Sequence, residues 1–394
     1  MSLRERVTQN LTARRDNILN GEINSIPSPL TRFRDDFVGV EQGKYYLITS
    51  VTKGGKSQFG SYMFLYTPLL YAYHHREQLD IKIFYYPLEE TPENIMERFM
   101  SYLLYTMSDG KIRISPRDLK STDNSKPLSE EILSILNSSE YIDIIDFFEN
   151  HIIFSSSTNA TGVWKECKRY AEENGTVHTK KKKVTEVNEF TGEKTVKEVE
   201  GFDYYEANNK KEYRIIFYDH IGLTSIERGM DLRQSINKLS EYFVILRNRY
   251  GFSPVVIQQQ AFFENMDAFK MDKLRPSIAN LADSKAVSRD VNICLSLFSP
   301  YKYELREYLG YDVTKFKDNI RFLEVLINRD GQSNGMIGLF FDGCCNIFHE
   351  LPPPTDKVGI DKYYAYLSTL REKSKVTFML FGYKIKKFIK DIRI

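Results

Sequence analysis

The chain has 394 residues, of which 42% are hydrophobic and 27% are charged, and its formal net charge is only +2. That size suffices to bury one large α/β core or two smaller ones. A charge so close to zero excludes binding to nucleic acid through the field of the whole protein, so a nucleic-acid surface has to be a local patch. The first residues are charged and no uncharged stretch is long enough to span a membrane, so we expect neither a signal peptide nor a membrane partner.

The cysteines indicate a reducing compartment. Cys167, Cys294, Cys344 and Cys345 show no CxxC spacing, and neighbouring cysteines rarely form a disulfide with each other. We therefore expect free thiols and a cytoplasmic location. The high content of Tyr, Phe, Asn, Ile and Lys is typical of AT-rich coding and points to a phage or another mobile element, or to a low-GC bacterium. For a viral protein the location is the host cytoplasm.

A helix is predicted at the start of the chain. Apolar residues recur along an otherwise charged segment from Leu3 to Leu19, and a proline-containing break follows at residues 26–29. We therefore assign residues 1–25 to a linker helix that serves in oligomerisation. The core is expected to span residues 26–355.

The most informative motif follows the first predicted strand of the core. The apolar run from Tyr45 to Thr49 leads into SVTKGGKS at positions 50–57, the pattern of a phosphate-binding loop between a strand and a helix. Backbone N–H groups of such a loop and the helix N-terminus hold phosphate oxygens. Lys56 is expected to reach the β- and γ-phosphates of ATP, and Ser57 to place its hydroxyl on Mg²⁺. The predicted nucleotide-binding residues are Ser50, Gly54, Gly55, Lys56 and Ser57.

One position of this motif departs from the usual pattern, because Ser50 stands where glycine is common. Serine fits there if its φ is negative. The alternative interpretation is a surface turn that happens to carry a lysine. A helix-compatible segment directly after Ser57 favours the phosphate-binding loop.

Further along the chain, strands alternate with helices and two insertions interrupt them. Such alternation predicts a mainly parallel sheet with helices on both faces. Residues 107–150 are polar and are expected to be irregular, with a helical piece from Leu128 to Leu136. The predicted strands are Ile81–Tyr86, Ile152–Phe154, Tyr213–Tyr218, Pro254–Gln259, Val291–Phe298, Phe322–Ile327 and Met336–Phe341. The predicted helices begin at Thr91–Pro92 and cover Gly162–Glu173, Asp231–Tyr250 and a basic C-terminal tail, residues 356–394.

The second insertion, residues 175–212, has the pattern of a β-hairpin. Valines alternate with polar residues on either side of a predicted turn at Phe190–Gly192, and four lysines stand at positions 180–183. Because both faces are polar, the hairpin is expected to project from the body. The lysines either contact phosphate or form a solvated excursion.

Polar residues at the ends of the predicted strands define a candidate site, because ligands of parallel α/β sheets bind at the carboxyl ends of the strands. Asp219 can hold Mg²⁺, Glu89 can deprotonate the attacking water, and Gln259 can contact the γ-phosphate. Each residue also has a structural interpretation: Asp219 as a turn residue and Glu89 as a helix start. Together with the loop at 50–57 they favour a nucleoside triphosphatase.

These motifs and their order resemble those of the DnaB-like replicative helicases, which have RecA-type ATPase cores. The similar segments are positions 39–57, with the phosphate-binding loop; 84–99 (FYYPLEETPENIMERF); 215–223 (IIFYDHIGL); 255–260 (VVIQQQ); 275–292; and 327–343. The resemblance implies that Glu89, rather than Glu90, is the catalytic glutamate and that Arg329 is an arginine finger for the neighbouring subunit. The alternative for Arg329 is a turn arginine paired with a surface acid.

The resemblance further implies ATP and Mg²⁺ as ligands, a hexameric ring of identical subunits, and single-stranded DNA in a central channel. A primase or a helicase loader are further implied partners. The predicted DNA-binding residues are Arg228, Lys270, Lys273 and Arg275, which supply sequence-independent contacts to phosphates. Phe262 and Phe263 either stack on bases or lie in the core.

Several features depart from the family pattern. Ile327 stands where the family usually has a lysine two residues before the finger, no collar domain precedes the core, and the insertions 107–150 and 175–212 are longer than the family requires. Two alternatives to a helicase therefore stay open. One is a RecA-type filament or loader ATPase that binds DNA without unwinding it, and the other is a regulatory ATP-binding oligomer.

Overall fold

A mixed sheet of nine strands runs through the centre of the protein. The structure is a computed structural model, and it describes residues 3–187, 194–261, 275–282, 285–333 and 335–373. In chain order the strands are β1 (Ile26–Pro27), β2 (Gly39–Val40), β3 (Tyr46–Val51), β4 (Asp80–Pro87), β5 (Ile152–Phe154), β6 (Gly175–Val187), β7 (Lys194–Ala207), β8 (Glu212–Asp219), β9 (Ser253–Gln260), β10 (Ile293–Phe298), β11 (Glu307–Tyr308), β12 (Tyr311–Asp312), β13 (Ile320–Asn328), β14 (Met336–Asp342) and β15 (Ile347–Glu350).

The strand order across the central sheet is β15-β14-β13-β10-β3-β9-β8-β4-β5. The six strands from β10 to β5 are parallel, and β13, β14 and β15 extend one edge in antiparallel fashion. The predicted mainly parallel α/β sheet is therefore confirmed. Strand β3, which leads into the motif at 50–57, lies between β9 and β10, so the loops after three neighbouring parallel strands meet beside that motif.

Helices cover both faces of the sheet. They are α1 (Leu3–Leu19), α2 (Lys56–Ser61), α3 (Thr67–His74), α4 (Pro92–Met107), α5 (Pro116–Leu119), α6 (Glu130–Leu136), α7 (Ser139–His151), α8 (Ala160–Glu173), α9 (Leu232–Tyr250), α10 (Ala286–Asp290), α11 (Val313–Phe316) and α12 (Lys357–Lys373). A π-helical turn, Tyr62–Tyr66, joins α2 to α3. Short 3-10 turns lie at Thr31–Phe33, Ile221–Leu223, Ile278–Asn280, Pro300–Tyr303 and Lys317–Asn319. None of the helices in the described ranges is long and apolar enough to cross a lipid bilayer.

Burial on both faces explains why the central strands are continuous apolar runs instead of alternating ones. Helices α2, α4 and α7 pack on one face, where Ile48, Ile215 and Ile257 point. Helices α8 and α9 pack on the other face, against Leu47 and Val256. The successive side chains of each strand thus enter two separate cores.

The prediction that residues 107–150 are irregular is wrong for their second half. Helix α7 occupies 13 residues there, begins at the cap Ser138, and buries Tyr141, Ile144 and Phe148 against the sheet. These three residues recur at helical spacing, so the acidic residues between them form only the solvent-facing side of an amphipathic helix. Strand β15 was not predicted, because its four residues are too few to give a pattern.

The predicted β-hairpin is present as β6 and β7, which pair antiparallel along their whole described length. Its base packs on the body through Val177, Phe202 and Tyr205. Farther out, Val196 and Val199 are exposed, so this part projects as predicted. The turn predicted at 190–192 lies outside the described residues.

Candidate nucleotide site

The loop after β3 has the backbone geometry of a phosphate-binding loop. Its turn is closed by the Gly54 N–H, which donates to the carbonyl of Val51 at 3.0 Å. Gly55 caps α2 with φ at 101°, a left-handed conformation that strains any residue with a Cβ. Helix α2 begins directly afterwards at Lys56, whose side chain is largely buried. The sequence therefore places glycine where the loop requires it.

Ser50 has a different place from the one predicted. It is the penultimate residue of β3 and is fully buried, and its hydroxyl lies so close to Gly54 that a Cβ on Gly54 would stand 1.9 Å from it. Its backbone is extended, which explains why serine replaces glycine here without strain. Ser50 therefore supports the loop from beneath, and a contact between its side chain and a phosphate is not supported.

The residues predicted to hold Mg²⁺ are adjacent. The Ser57 hydroxyl donates to Asp219 Oδ1 at 3.2 Å, and Asp219 ends β8, two strands away from β3. A hydroxyl and a carboxylate fit Mg²⁺, which takes few protein ligands and completes its shell with phosphates and water. Consistent with such a site, the described residues contain no cluster of three or more His, Cys, Asp or Glu side chains that would hold a metal without a nucleotide.

The carboxyl group of Asp219 is strongly perturbed. Burial, which disfavours the charged form, raises its pKa from 3.8 to about 7, and the nearby Glu89 raises the pKa further. The hydrogen bond from Ser57 and the charge of Lys56 oppose this rise. A divalent cation would reverse it by stabilising the carboxylate. The site is therefore poised to take up a cation and release a proton.

We expect Asp219→Asn to stabilise the ligand-free protein at pH 8 by about 2 to 4 kcal/mol, because each unit of pKa shift corresponds to about 1.4 kcal/mol. The native state holds this proton more tightly than the unfolded chain, so ionising Asp219 destabilises the fold as pH rises from about 4 to 7. Urea unfolding at pH 8 and at pH 3.5 measures the effect. The difference between variant and wild type should vanish at the lower pH, and an advantage independent of pH would contradict this account.

Glu89 and Glu90 point to different partners. The loop after β4 is tied to β8, because the Leu88 N–H donates to the carbonyl of Asp219 at 3.0 Å. Glu89 Oε1 then lies 3.1 Å from Nε2 of His220, the residue after Asp219, whereas Glu90 pairs with Arg98 on α4 at 2.7 Å. Glu89 therefore faces the Asp219 side and Glu90 faces a structural ion pair, an arrangement that favours Glu89 as the general base.

Gln259 reaches the loop from the neighbouring strand. Its side-chain amide donates to the Thr52 hydroxyl at 2.6 Å, and β9 pairs with β3 in a register that sets Gln259 opposite Ser50. Beyond Gln260 the chain enters residues 262–274, which lie outside the described part. Gln259 thus connects the phosphate-binding loop to the segment predicted to bind DNA.

One functional residue was missed from the sequence. Arg321 on β13 is 1% exposed and its Nε donates to the carbonyl of Gly54 at 2.8 Å, while its Nη2 pairs with Asp318 at 3.0 Å. It therefore fixes the backbone of the phosphate-binding loop from the adjacent part of the sheet. The available signal was a charged residue inside the apolar run IRFLEVLI, where a buried charge needs a specific partner.

Arg329 lies far from the loop of its own chain. It follows the last residue of β13, Asn328, which pairs with Ile293, and Ile293 in turn pairs with Tyr46 at the start of β3. The phosphate-binding loop begins after the other end of β3, roughly 17 Å away at about 3.3 Å per residue. Arg329 is exposed, its guanidinium donates to the carbonyl of Arg289, and it pairs with no carboxylate of the described residues.

The predicted DNA-binding residues are only partly described. Arg228 is exposed on the loop after β8, whereas Lys270 and Lys273 lie outside the described residues. Arg275 pairs with Glu324 on β13 at 2.6 Å. Burial raises the pKa of Glu324, and Arg275 counteracts that rise. About half of the Arg275 side chain stays exposed, so part of the guanidinium is free to contact a phosphate.

The fold and this loop together define the class of a RecA-like P-loop ATPase core. No model of a known protein family matches the chain, and no curated protein matches it. Solved structures do: an ATPase domain solved by itself matches with a TM-score of 0.58 at 14% identity, over 88% of this chain and 99% of that chain.

A DnaB-like replicative helicase, solved together with its interactions with primase, matches with a TM-score of 0.55 at 15% identity. That match covers 86% of this chain and 65% of the helicase chain. Identities this low establish the fold. The predicted resemblance to the ATPase core of DnaB-like replicative helicases is therefore confirmed at the level of the fold.

Proposed function

We propose that the protein is an ATP-driven translocase and helicase on single-stranded DNA that acts in DNA replication as a ring of identical subunits. The observation that carries the proposal is the convergence of Ser57, Asp219, Glu89 and Gln259 around one glycine loop at the carboxyl edge of the sheet. The fold shared with the solved ATPase domain and the DnaB-like helicase supports it.

Each side chain has a part in hydrolysis that follows from its position. The loop amides and Lys56 bind the phosphates, and Ser57 and Asp219 hold Mg²⁺, which neutralises charge on the β- and γ-phosphates when bound. Glu89 orients the attacking water and accepts its proton. Gln259, placed between Thr52 and the segment after β9, relays the state of the γ-phosphate to the DNA-facing segment.

The assembly follows from the position of Arg329. An exposed arginine at the edge opposite to its own nucleotide serves a nucleotide only if a neighbouring subunit brings one to it. Six subunits closing into a ring would give every nucleotide such a neighbour and would enclose DNA between the loops that carry Arg228 and Arg275. A primase or a loader is a further partner in this proposal, which places the protein in the cytoplasm, or in that of the host if it is viral.

The test of the proposed function is ATP turnover with and without single-stranded DNA, combined with electron microscopy of negatively stained particles. We expect turnover that DNA stimulates at least several-fold, and closed rings with ATP. Helical filaments would favour a RecA-type ATPase. Nucleotide binding without turnover in either condition would overturn the proposal and favour a regulatory oligomer.

The helix α1 is expected to hold neighbouring subunits together. Val7, Leu11 and Ile18 lie on one stripe of the helix and are 48 to 64% exposed within the described chain, so a neighbour's core has an apolar surface to cover. Deleting residues 1–25 should leave a folded monomer that binds ATP, as measured by light scattering and nucleotide titration.

A pair of point variants refines this prediction. Leu11→Glu with Ile18→Glu should dissociate the oligomer as the deletion does, because both place charge on the stripe. Gln9→Glu lies on the opposite side of the helix and should leave the oligomer intact. An oligomer of unchanged mass in the deletion variant would remove α1 from the assembly.

A further inference from the structure

We propose that His220 is a positioning residue that fixes the carboxylate of Glu89 for attack by water. The inference rests on the proposed ATPase function and adds to it a residue that no strand-end motif identified. It is carried by the short distance between His220 Nε2 and Glu89 Oε1, 3.1 Å.

The two residues are held by neighbouring strand ends. Strands β4 and β8 pair in parallel with Pro87 opposite Asp219, and the Leu88 N–H donates to the carbonyl of Asp219 at 3.0 Å. Glu89 and His220 therefore follow two backbone positions that are bonded to each other. Their relative placement is set by the sheet and not by a loose loop.

The orientation of the imidazole ring is also set. Its Nδ1 accepts the Gly222 N–H at 3.1 Å, so in a neutral ring the proton lies on Nε2, the atom that faces Glu89. His220 is 9% exposed, whereas the Glu89 side chain is 41% exposed. A buried, oriented donor thus holds one oxygen of a carboxylate that projects toward solvent.

This arrangement leaves Oε2 of Glu89 to accept the proton of the attacking water. Without the histidine, the exposed glutamate side chain is free to populate several rotamers, only some of which place that oxygen at the water. Misplacing a reacting group by about 1 Å can cost about a hundredfold in rate. His220 should therefore affect the chemical step and not the binding of nucleotide.

The test compares His220→Leu, which lacks a donor, with His220→Gln, whose amide keeps one. His151→Leu on α7 is the matched control, because it makes the same change at the amino end of the sheet. We expect His220→Leu to lower kcat about 10- to 100-fold, with KM and the Kd for ATP within about threefold of wild type. His220→Gln should recover most of the rate, and His151→Leu should match wild type. In the Glu89→Gln background, His220→Leu should lower the residual rate no further.

Three results would overturn the inference while the wild type still hydrolyses ATP. They are an unchanged or higher kcat in His220→Leu, a loss of nucleotide affinity that parallels the loss of rate, or no recovery in a His220→Gln variant that melts at the wild-type temperature. A wild type without turnover would instead overturn the proposed function, and this inference with it.

Discussion

Replacing Glu89 by glutamine should reduce ATP turnover by about a hundredfold or more, the scale expected for removing a general base, while nucleotide binding is retained. The amide keeps the shape of the side chain and can still contact His220, but it cannot accept the proton of the attacking water. Turnover by phosphate release and affinity by titration with a fluorescent ATP analogue separate the two effects.

Glu90→Gln is the matched control for that variant, because the same change is made one residue away. Glu90 pairs with Arg98 on α4, so its loss should alter turnover by no more than a few-fold. Lys56→Ala should show the opposite pattern to Glu89→Gln, with the affinity for nucleotide itself lost because a phosphate contact is removed. Abolished turnover in Glu90→Gln with normal turnover in Glu89→Gln would show that the base is assigned to the wrong residue.

Arg329→Ala should reduce turnover roughly a thousandfold, the effect of an arginine that neutralises charge developing on the γ-phosphate. The side chain stands at the far end of β13 from its own phosphate-binding loop and has no carboxylate partner among the described residues. Its contribution to hydrolysis must therefore come in a neighbouring subunit. Arg169→Ala, which removes another exposed arginine from α8, should leave turnover unchanged.

Mixing the two inactive variants tests the shared site. In oligomers assembled from Arg329→Ala and Glu89→Gln subunits, some interfaces pair an intact Glu89 with an intact Arg329, and ATPase activity should partly return. The fraction recovered should rise and fall with the mixing ratio. Absence of recovery in mixtures shown to co-assemble would argue that Arg329 does not act on a neighbour and would favour the regulatory oligomer.

The placement of the main site residues was predictable because it needs only local pattern and one geometric rule. Runs such as IIFY before Asp219 and VVI before the glutamines read as buried strands, and the carboxyl ends of parallel strands share one edge. The resulting neighbours, Ser57 with Asp219 and Gln259 with Thr52, are those of the structure.

The missed features depend on contacts between distant parts of the chain. Arg321 reaches Gly54 only because β13 pairs with β10, which lies beside β3, and a strand order of that kind is not written in local sequence. His220 reaches Glu89 only through the pairing of β8 with β4. Helix α7 is a different case, because its helical spacing was present in the sequence and was obscured by the acidic residues on its exposed face.

Strand separation on a forked DNA duplex tests the proposed helicase most directly. Forks with single-stranded tails of either polarity are incubated with the protein, ATP and Mg²⁺, and the released strand is measured. The account predicts ATP-dependent release by the wild type and none by Glu89→Gln, although that variant still binds nucleotide. A wild type that hydrolyses ATP on single-stranded DNA but leaves every fork intact would contradict it.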